Sequence, residues 1–182
     1  MTFDELGGIK EILPRSRNEA HKLIEECMLL ANVAAAEYAL ENDIPMLYRV
    51  HEPPEFSRIQ KVREYVKLLG LPFPEQPTQK DYQAVIEATK ERIDAPSIHA
   101  VLLRSMMQAY YGANNAGHFG LAYDAYTHFT SPIRRYPDLL LHRAIKAHLK
   151  QKPSPLSGAA LDDAGEHFSQ TERRADEASR SV

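Results

Sequence analysis

Apolar residues return every three to four positions along most of this chain, a period that predicts helices, and only a few short stretches alternate as strands do. The longest helical pattern runs through "SRNEAHKLIEECMLLANVAAAEYALEN". Ser16 and Glu19 stand at capping-box spacing, and Ala20, Ile24, Cys27, Ala31, Ala34 and Tyr38 form one stripe. Met28, Leu29, Val33 and Ala36 make a second apolar face, so this helix is expected to pack on more than one side, with Glu25 and Asn32 projecting into that second face. "MLYRVHEPP" reads as a short strand stopped by two prolines. A helix from about Glu55 to Leu69 ends at Gly70. Thr78 caps a third helix with Tyr82, Val85, Ile86 and Ile93 inward, and Pro96 separates it from a fourth, Ser97 to Tyr111, striped by Ile98, Val101, Leu102 and Met106. "YGANNAG" reads as a loop, "HFGLAYDAYTHF" as one or two strands, and the next helix reaches about Lys150. A linker near 152–158 leads to a last charged helix.

Composition narrows the class. The 182 residues are enough for one globular domain with a real core. No apolar run approaches the roughly 18 residues of a membrane span, and the first residues lack the pattern of a signal peptide, so a cytoplasmic site is expected. With Cys27 as the single cysteine, neither an internal disulfide nor a cysteine zinc cage can form. The net charge of -3 argues against a protein that coats nucleic acid through bulk positive field. Yet Thr127 to Lys152 carries a local +5, leaving -8 for the remainder. A basic segment in an acidic protein reads as a site.

Inside that segment lies "TSPIRRYPD". Ser131 can cap a helical turn whose first position is Pro132, where backbone N–H groups point outward and attract anions. Arg134 and Arg135 diverge as neighbours on a turn, and guanidinium groups match phosphate oxygens in pairs. Two readings stand for the pair, a phosphate clamp or a salt bridge to a structural carboxylate such as Asp138. Phe129, Tyr136 and Tyr126 either pack the frame or offer faces for a base. Arg143, Lys146 and Lys150 share one helix side, the pattern of a solvated face. Glu25 likewise has two readings, an exposed carboxylate bonded to a local donor or a ligand contact. His118, His128, His142 and His148 lack helical metal spacing, Asp162 and Asp163 diverge as adjacent residues, and neither a Gly-rich phosphate loop nor a serine nucleophile elbow occurs.

"HFGLAYDAYTHFTSPIRRYPDLLLHRAIK" closely resembles the signature of the ribonuclease II and ribonuclease R family of exoribonucleases, in the catalytic domain called RNB. "RNEAHKLIEECMLLANVAAAEY" resembles that domain's central helix, and "RVHEPP" and "ERRADEASR" match in the family's order. The similarity covers essentially 1–182 and is nearest the bacterial ribonuclease R branch. It implies an α+β domain of which this chain is a predominantly helical portion with a few short strands. It also implies a processive 3'-to-5' hydrolase that shortens single-stranded RNA to nucleoside 5'-monophosphates with Mg2+. The arginine of "TSPIR" that contacts the phosphate under attack falls on Arg134, and the first glutamate of "IEE", associated with the ribose of the terminal nucleotides, falls on Glu25. Ser131, Arg135 and Tyr136 join them as substrate-contact candidates, and no metal ligand is assigned, because the family's aspartate motif of the kind "DPxxAxDxDDA" has no counterpart here.

The expectation is therefore a C-terminal half of the catalytic domain, without the acidic half and the flanking RNA-binding barrels, inactive by itself and prone to self-association through exposed apolar surface. Its partners would be single-stranded RNA and no membrane. The alternatives are a non-catalytic RNA-binding or assembly module that has lost the metal-binding half, or a helical protein with no RNA role.

Overall fold

The computed structural model describes residues 2–3, 8–11 and 17–181. Strands β1 (Thr2–Phe3) and β2 (Ile9–Glu11) form a small antiparallel pair ahead of the first helix, α1 (Glu19–Glu41). Ser16, the expected cap, lies outside the described residues. The cap observed is Asn18, whose side chain accepts from the His21 amide while the His21 ring accepts from the Asn18 amide, a reciprocal box shifted toward the C-terminus.

The face of α1 that becomes buried is that of Asn32, Ala35, Ala36 and Ala39, and the predicted stripe of Ala20, Ile24, Cys27 and Ala34 is exposed. Small side chains explain the choice: three alanines let the rest of the core approach the helix axis closely, and burying them costs no rotamer entropy. This core also takes Ile44, Met46, Tyr48, Val50 and Ala125, with Leu141 and Ala144 from the fifth helix. Strand β3 (Tyr48–Val50) runs through it, as the sequence predicts.

Its partner was not expected. Residues predicted to finish the fourth helix form β4 (Tyr110–Gly112), antiparallel to β3 with Arg49 opposite Tyr111. Helix α4 (Ala95–Ser105) starts and ends earlier than predicted, and Pro96 sits in its first turn instead of separating it from what precedes, a position where proline removes no needed N–H. Helices α2 (Phe56–Leu68) and α3 (Gln79–Thr89) fall where the periodicity puts them, α2 followed by Gly70 at a φ of 74° and α3 capped by Thr78 with Asp81. With α4 they enclose a second core of Val62, Val66, Phe73, Tyr82, Val85, Ile98 and Leu102. Ile86 and Ile93 do not join it: α3 ends at Thr89, so Ile93 loses the helical register and stands fully exposed.

"HFGLAYDAYTHF" is also not a strand pair. Phe119–Leu121 is a single 3₁₀ turn stopped by Ala122 at a φ of 58°. The turn leans on β3's end: the Gly120 amide donates to His51 Nδ1 at 3.0 Å, and a Cβ there would lie 2.6 Å from that nitrogen, so glycine is required by contact. What remains of strand character is two isolated bridges, His51 with His118 and His118 with Tyr123, and the Tyr126 carbonyl, which accepts from the Arg49 amide. Helix α5 (Tyr136–Leu149) and, past the predicted linker, α6 (Ala159–Arg180) complete the fold. A third small cluster, Leu47, Tyr111, Leu140 and Leu161, fastens α6 to the sheet.

Candidate functional site

The turn between Thr127 and α5 is held at three consecutive backbone amides. Asn32, 3 % exposed on α1, takes two of them: its Oδ1 accepts from Phe129 N at 2.9 Å and Thr130 N at 3.2 Å. The third, Ser131 N, donates to Asp138 Oδ2 at 2.8 Å. The Phe129 carbonyl lies 2.9 Å from His142 Nε2, whose ring stacks on Phe129. The chain then folds over as the Ser131 carbonyl accepts from both Arg134 N and Arg135 N. That closure uses the backbone of Ser131, where the sequence had suggested its hydroxyl. Pro137 occupies the first turn of α5, and proline at both ends of "PIRRYP" removes φ freedom on either side of the arginines.

Within this frame the two guanidinium groups separate. Asp138 is 0 % exposed and accepts from Arg135 Nε and Nη2, each at 2.9 Å, in the parallel two-bond geometry that suits a carboxylate. Arg135 is thereby committed inward. Arg134 is exposed, and its side chain has no hydrogen-bond or ion-pair partner among the described residues. The predicted salt bridge to Asp138 thus exists, and it holds one arginine of the two. Tyr136 is half exposed; its hydroxyl accepts from Arg143, whose guanidinium also lies over the ring, and its other side tilts onto Phe168. A cavity of about 270 Å³ opens beside Arg134 between Tyr136, Phe168, Thr171 and Glu172.

Glu25 lies apart from this turn, on the exposed N-terminal half of α1, ion-paired with Arg17, which is the local-donor reading of that carboxylate. No hydrogen bond or ion pair joins it to the arginine turn among the described residues. The connection is through α1 itself, since Asn32 stands seven residues further on. Lys146 and Lys150 are exposed, as the solvated-face reading expects.

Two partly buried histidines, His118 and His128, meet the Tyr126 ring edge to face. Burial, with the Arg135 and Arg49 cations nearby, pushes His128 down to about 3, and its Nδ1 lies 2.8 Å from the Tyr111 hydroxyl. Burial and the neighbouring His51 push His118 down to about 4, while burial raises Tyr111 to about 12. Arg49 lies over the Tyr111 ring and pairs with Glu172 at 2.6 Å, tying β3 to α6. A larger cavity, about 450 Å³ between His51, Gln79, Asn115, His118 and Asp124, contains none of the predicted site residues. Among the described residues no three His, Cys, Asp or Glu side chains gather closely enough to hold a metal ion. Among the described residues no helix is long and apolar enough to cross a membrane.

The profile of the RNB domain matches residues 1–151. The chain belongs to the RNB-domain family. It is 49% identical to ribonuclease R of Vibrio cholerae over 194 residues, which covers 99% of this chain and 24% of that protein. It therefore spans about a quarter of the length of the curated relatives it matches. The RNB-domain fold is also that of Mycoplasma genitalium RNase R, solved with ribose-methylated single-stranded RNA (TM-score 0.87, 28% identity, 98% of this chain and 29% of that one). The same protein has been solved with double-stranded RNA (TM-score 0.88, 28% identity, 98% and 34%). Yeast Ssd1, described as a pseudonuclease, matches with a TM-score of 0.73 at 26% identity, over 84% of this chain and 20% of that one.

Proposed function

We propose that this chain is the phosphate-gripping portion of an RNB-type 3'-to-5' exoribonuclease acting on single-stranded RNA in the cytoplasm, with Arg134 as the clamp on the phosphate under attack. The observation that carries the reading is the division between the arginines. A guanidinium exposed on a turn whose Phe129, Thr130 and Ser131 amides are all bonded is preorganised for an anion, and a fixed donor loses little freedom on binding. Arg135 supports it by closing the frame through Asp138, whose carboxylate balances its charge. Ser131 supplies the carbonyl that shapes the turn, Tyr136 a half-exposed ring beside it, and Glu25 a carboxylate toward ribose hydroxyls once it leaves Arg17.

The Mg2+ that the family implies does not fit the carboxylates described here, which form no cluster of three, so no step of this reading passes through a metal held by them. Arg134 can steady negative charge developing on phosphoryl oxygens but has no lone pair with which to take a proton from water. The second reading, a non-catalytic RNA-binding module, is favoured by the likeness to a pseudonuclease and keeps the same clamp. Both predict that Arg134→Ala weakens binding of a single-stranded oligoribonucleotide by about 1.5–3 kcal/mol, the range for a hydrogen bond to a charged group. Fluorescence anisotropy measures it, and unchanged affinity would leave only a helical protein without an RNA role.

A further inference from the structure

Asn32 has no place among the substrate contacts, yet its buried side chain on α1 hydrogen-bonds the segment that leads to Arg134. Its oxygen accepts from Phe129 N and Thr130 N, and its nitrogen donates to the Tyr126 hydroxyl at 2.9 Å. Those partners lie some hundred positions away in sequence and within five residues of one another. The two backbone amides need an acceptor and the hydroxyl oxygen takes a donor, so a primary amide is the side chain that serves all three at once. Aspartate lacks the donor, leucine lacks both, and glutamine adds a methylene where the helix is packed.

Glu25 and Asn32 are seven residues apart on this helix, two turns, and so lie on one side of it about 10 Å apart along its axis. Asn32 is thus the point at which the helix bearing Glu25 grips the loop bearing Arg134. The other bonds to the loop's amides, from Ser131 N to Asp138 and from Arg134 N and Arg135 N to the Ser131 carbonyl, stay within the same segment and cannot set its position relative to α1.

We infer that Asn32 is a positioning residue, which holds the Arg134 turn at a fixed distance along α1 so that the clamp and the Glu25 end of the helix meet one RNA strand in register. The inference rests on the clamp reading. It makes the effect of Asn32 on RNA conditional on Arg134, whereas a residue that merely stabilised the fold would weaken binding whether or not Arg134 were present.

A double-mutant cycle with a labelled oligouridylate tests this. Arg134→Ala is expected to weaken binding about tenfold or more and Asn32→Ala about fivefold, with less than about a further twofold loss when Asn32→Ala is added to Arg134→Ala. Exchange of the Phe129 and Thr130 amides should accelerate in Asn32→Ala while the α5 amides stay protected. If Asn32→Ala does not fold, Tyr126→Phe, which removes one of the three partners and keeps the ring, runs the same cycle with a smaller first loss. Losses that add in full, or an Asn32→Ala affinity equal to wild type, overturn the inference and leave the clamp standing. An Arg134→Ala affinity equal to wild type overturns the clamp and the inference with it.

Discussion

A carboxylate with no exposed surface must find donors for its lone pairs, and Asp138 finds three, in the Ser131 amide and two nitrogens of Arg135. Buried pairs of this kind are costly to desolvate and rarely stabilise much over an apolar alternative. What the pair supplies here is direction, since the arginine it engages turns inward and its neighbour is left facing solvent. The i, i+3 spacing of Arg135 and Asp138 made the pair legible in the sequence. The Asn32 bonds were not, because nothing local to "LLANVAA" shows which backbone its amide will meet. Which histidines would be partly buried was likewise not legible, as a histidine's surroundings are set by distant elements. His118 and His128 carry a pH dependence whose sign is fixed by the two depressed values. An unfolded chain takes up protons on His118 and His128 near pH 6.5, while the folded chain holds them neutral until about 4 and 3. The unfolded state therefore binds more protons in that window: their contribution to stability is complete above about pH 6.5 and is lost as the pH falls through the folded values. Urea midpoints measured from pH 7.5 down to 4.5 should decline, and His128→Gln, which keeps an acceptor for the Tyr111 hydroxyl and does not titrate, should shallow that decline. An identical slope in the variant would count against a neutral His128 in the fold.

The length of α2 followed from periodicity, and α3 began at its predicted cap Thr78 but ended at Thr89, short of the predicted Ile93. Prediction failed where short-range pattern and long-range pairing disagree. "AYYG" continues the apolar period of α4, yet the backbone leaves the helix after Ser105 because β3 has an open edge that these residues can pair with. Beside that pair, α6 comes unusually close. Its Gly165 faces the β4 backbone, and a Cβ there would stand 2.8 Å from the Tyr111 carbonyl oxygen and 3.0 Å from a Leu47 methyl. One turn on, the Ser169 hydroxyl accepts from the Tyr111 amide at 2.8 Å and donates to the Gly165 carbonyl, so the outer edge of β4 is satisfied by a helix. In an exposed helix interior, glycine to alanine gains up to about 1 kcal/mol. At Gly165 the sign should invert: the methyl must push strand and helix apart, and Gly165→Ala is expected to cost about 1–3 kcal/mol, as overpacking does. Thermal and chemical denaturation of the variant measure this, and a stabilised protein would contradict the close approach.

Across the whole molecule, apolar surface is distributed unevenly. Leu23, Ile24 and Leu30 on the N-terminal half of α1 are 65%, 59% and 71% exposed, with the exposed Cys27 between them. Leu23, Cys27 and Leu30 share one face by spacing, and continuous apolar faces of this kind associate in water. The 182-residue chain should therefore self-associate at high concentration in sedimentation velocity, and Leu23→Glu with Leu30→Glu should return it to monomer. A monomer at every concentration would show that the face stays solvated. Sequence periodicity placed Ile24 and Cys27 on a stripe expected to pack and left Leu23 and Leu30 outside it, since period alone cannot say which apolar face finds a partner. The remaining asymmetry is between the two larger cores. One gathers α1, β3 and α5 under the arginine turn, the other lies among α2, α3 and α4, and Tyr82 of the second meets the small turn at Phe119 that leans on His51 at the end of β3. Two cores bridged by such a turn can melt in two stages, the three-helix lobe loosening first without disturbing the hydrogen bonds that aim Arg134 and leaving the grip on a strand intact while the rest of the surface rearranges around it.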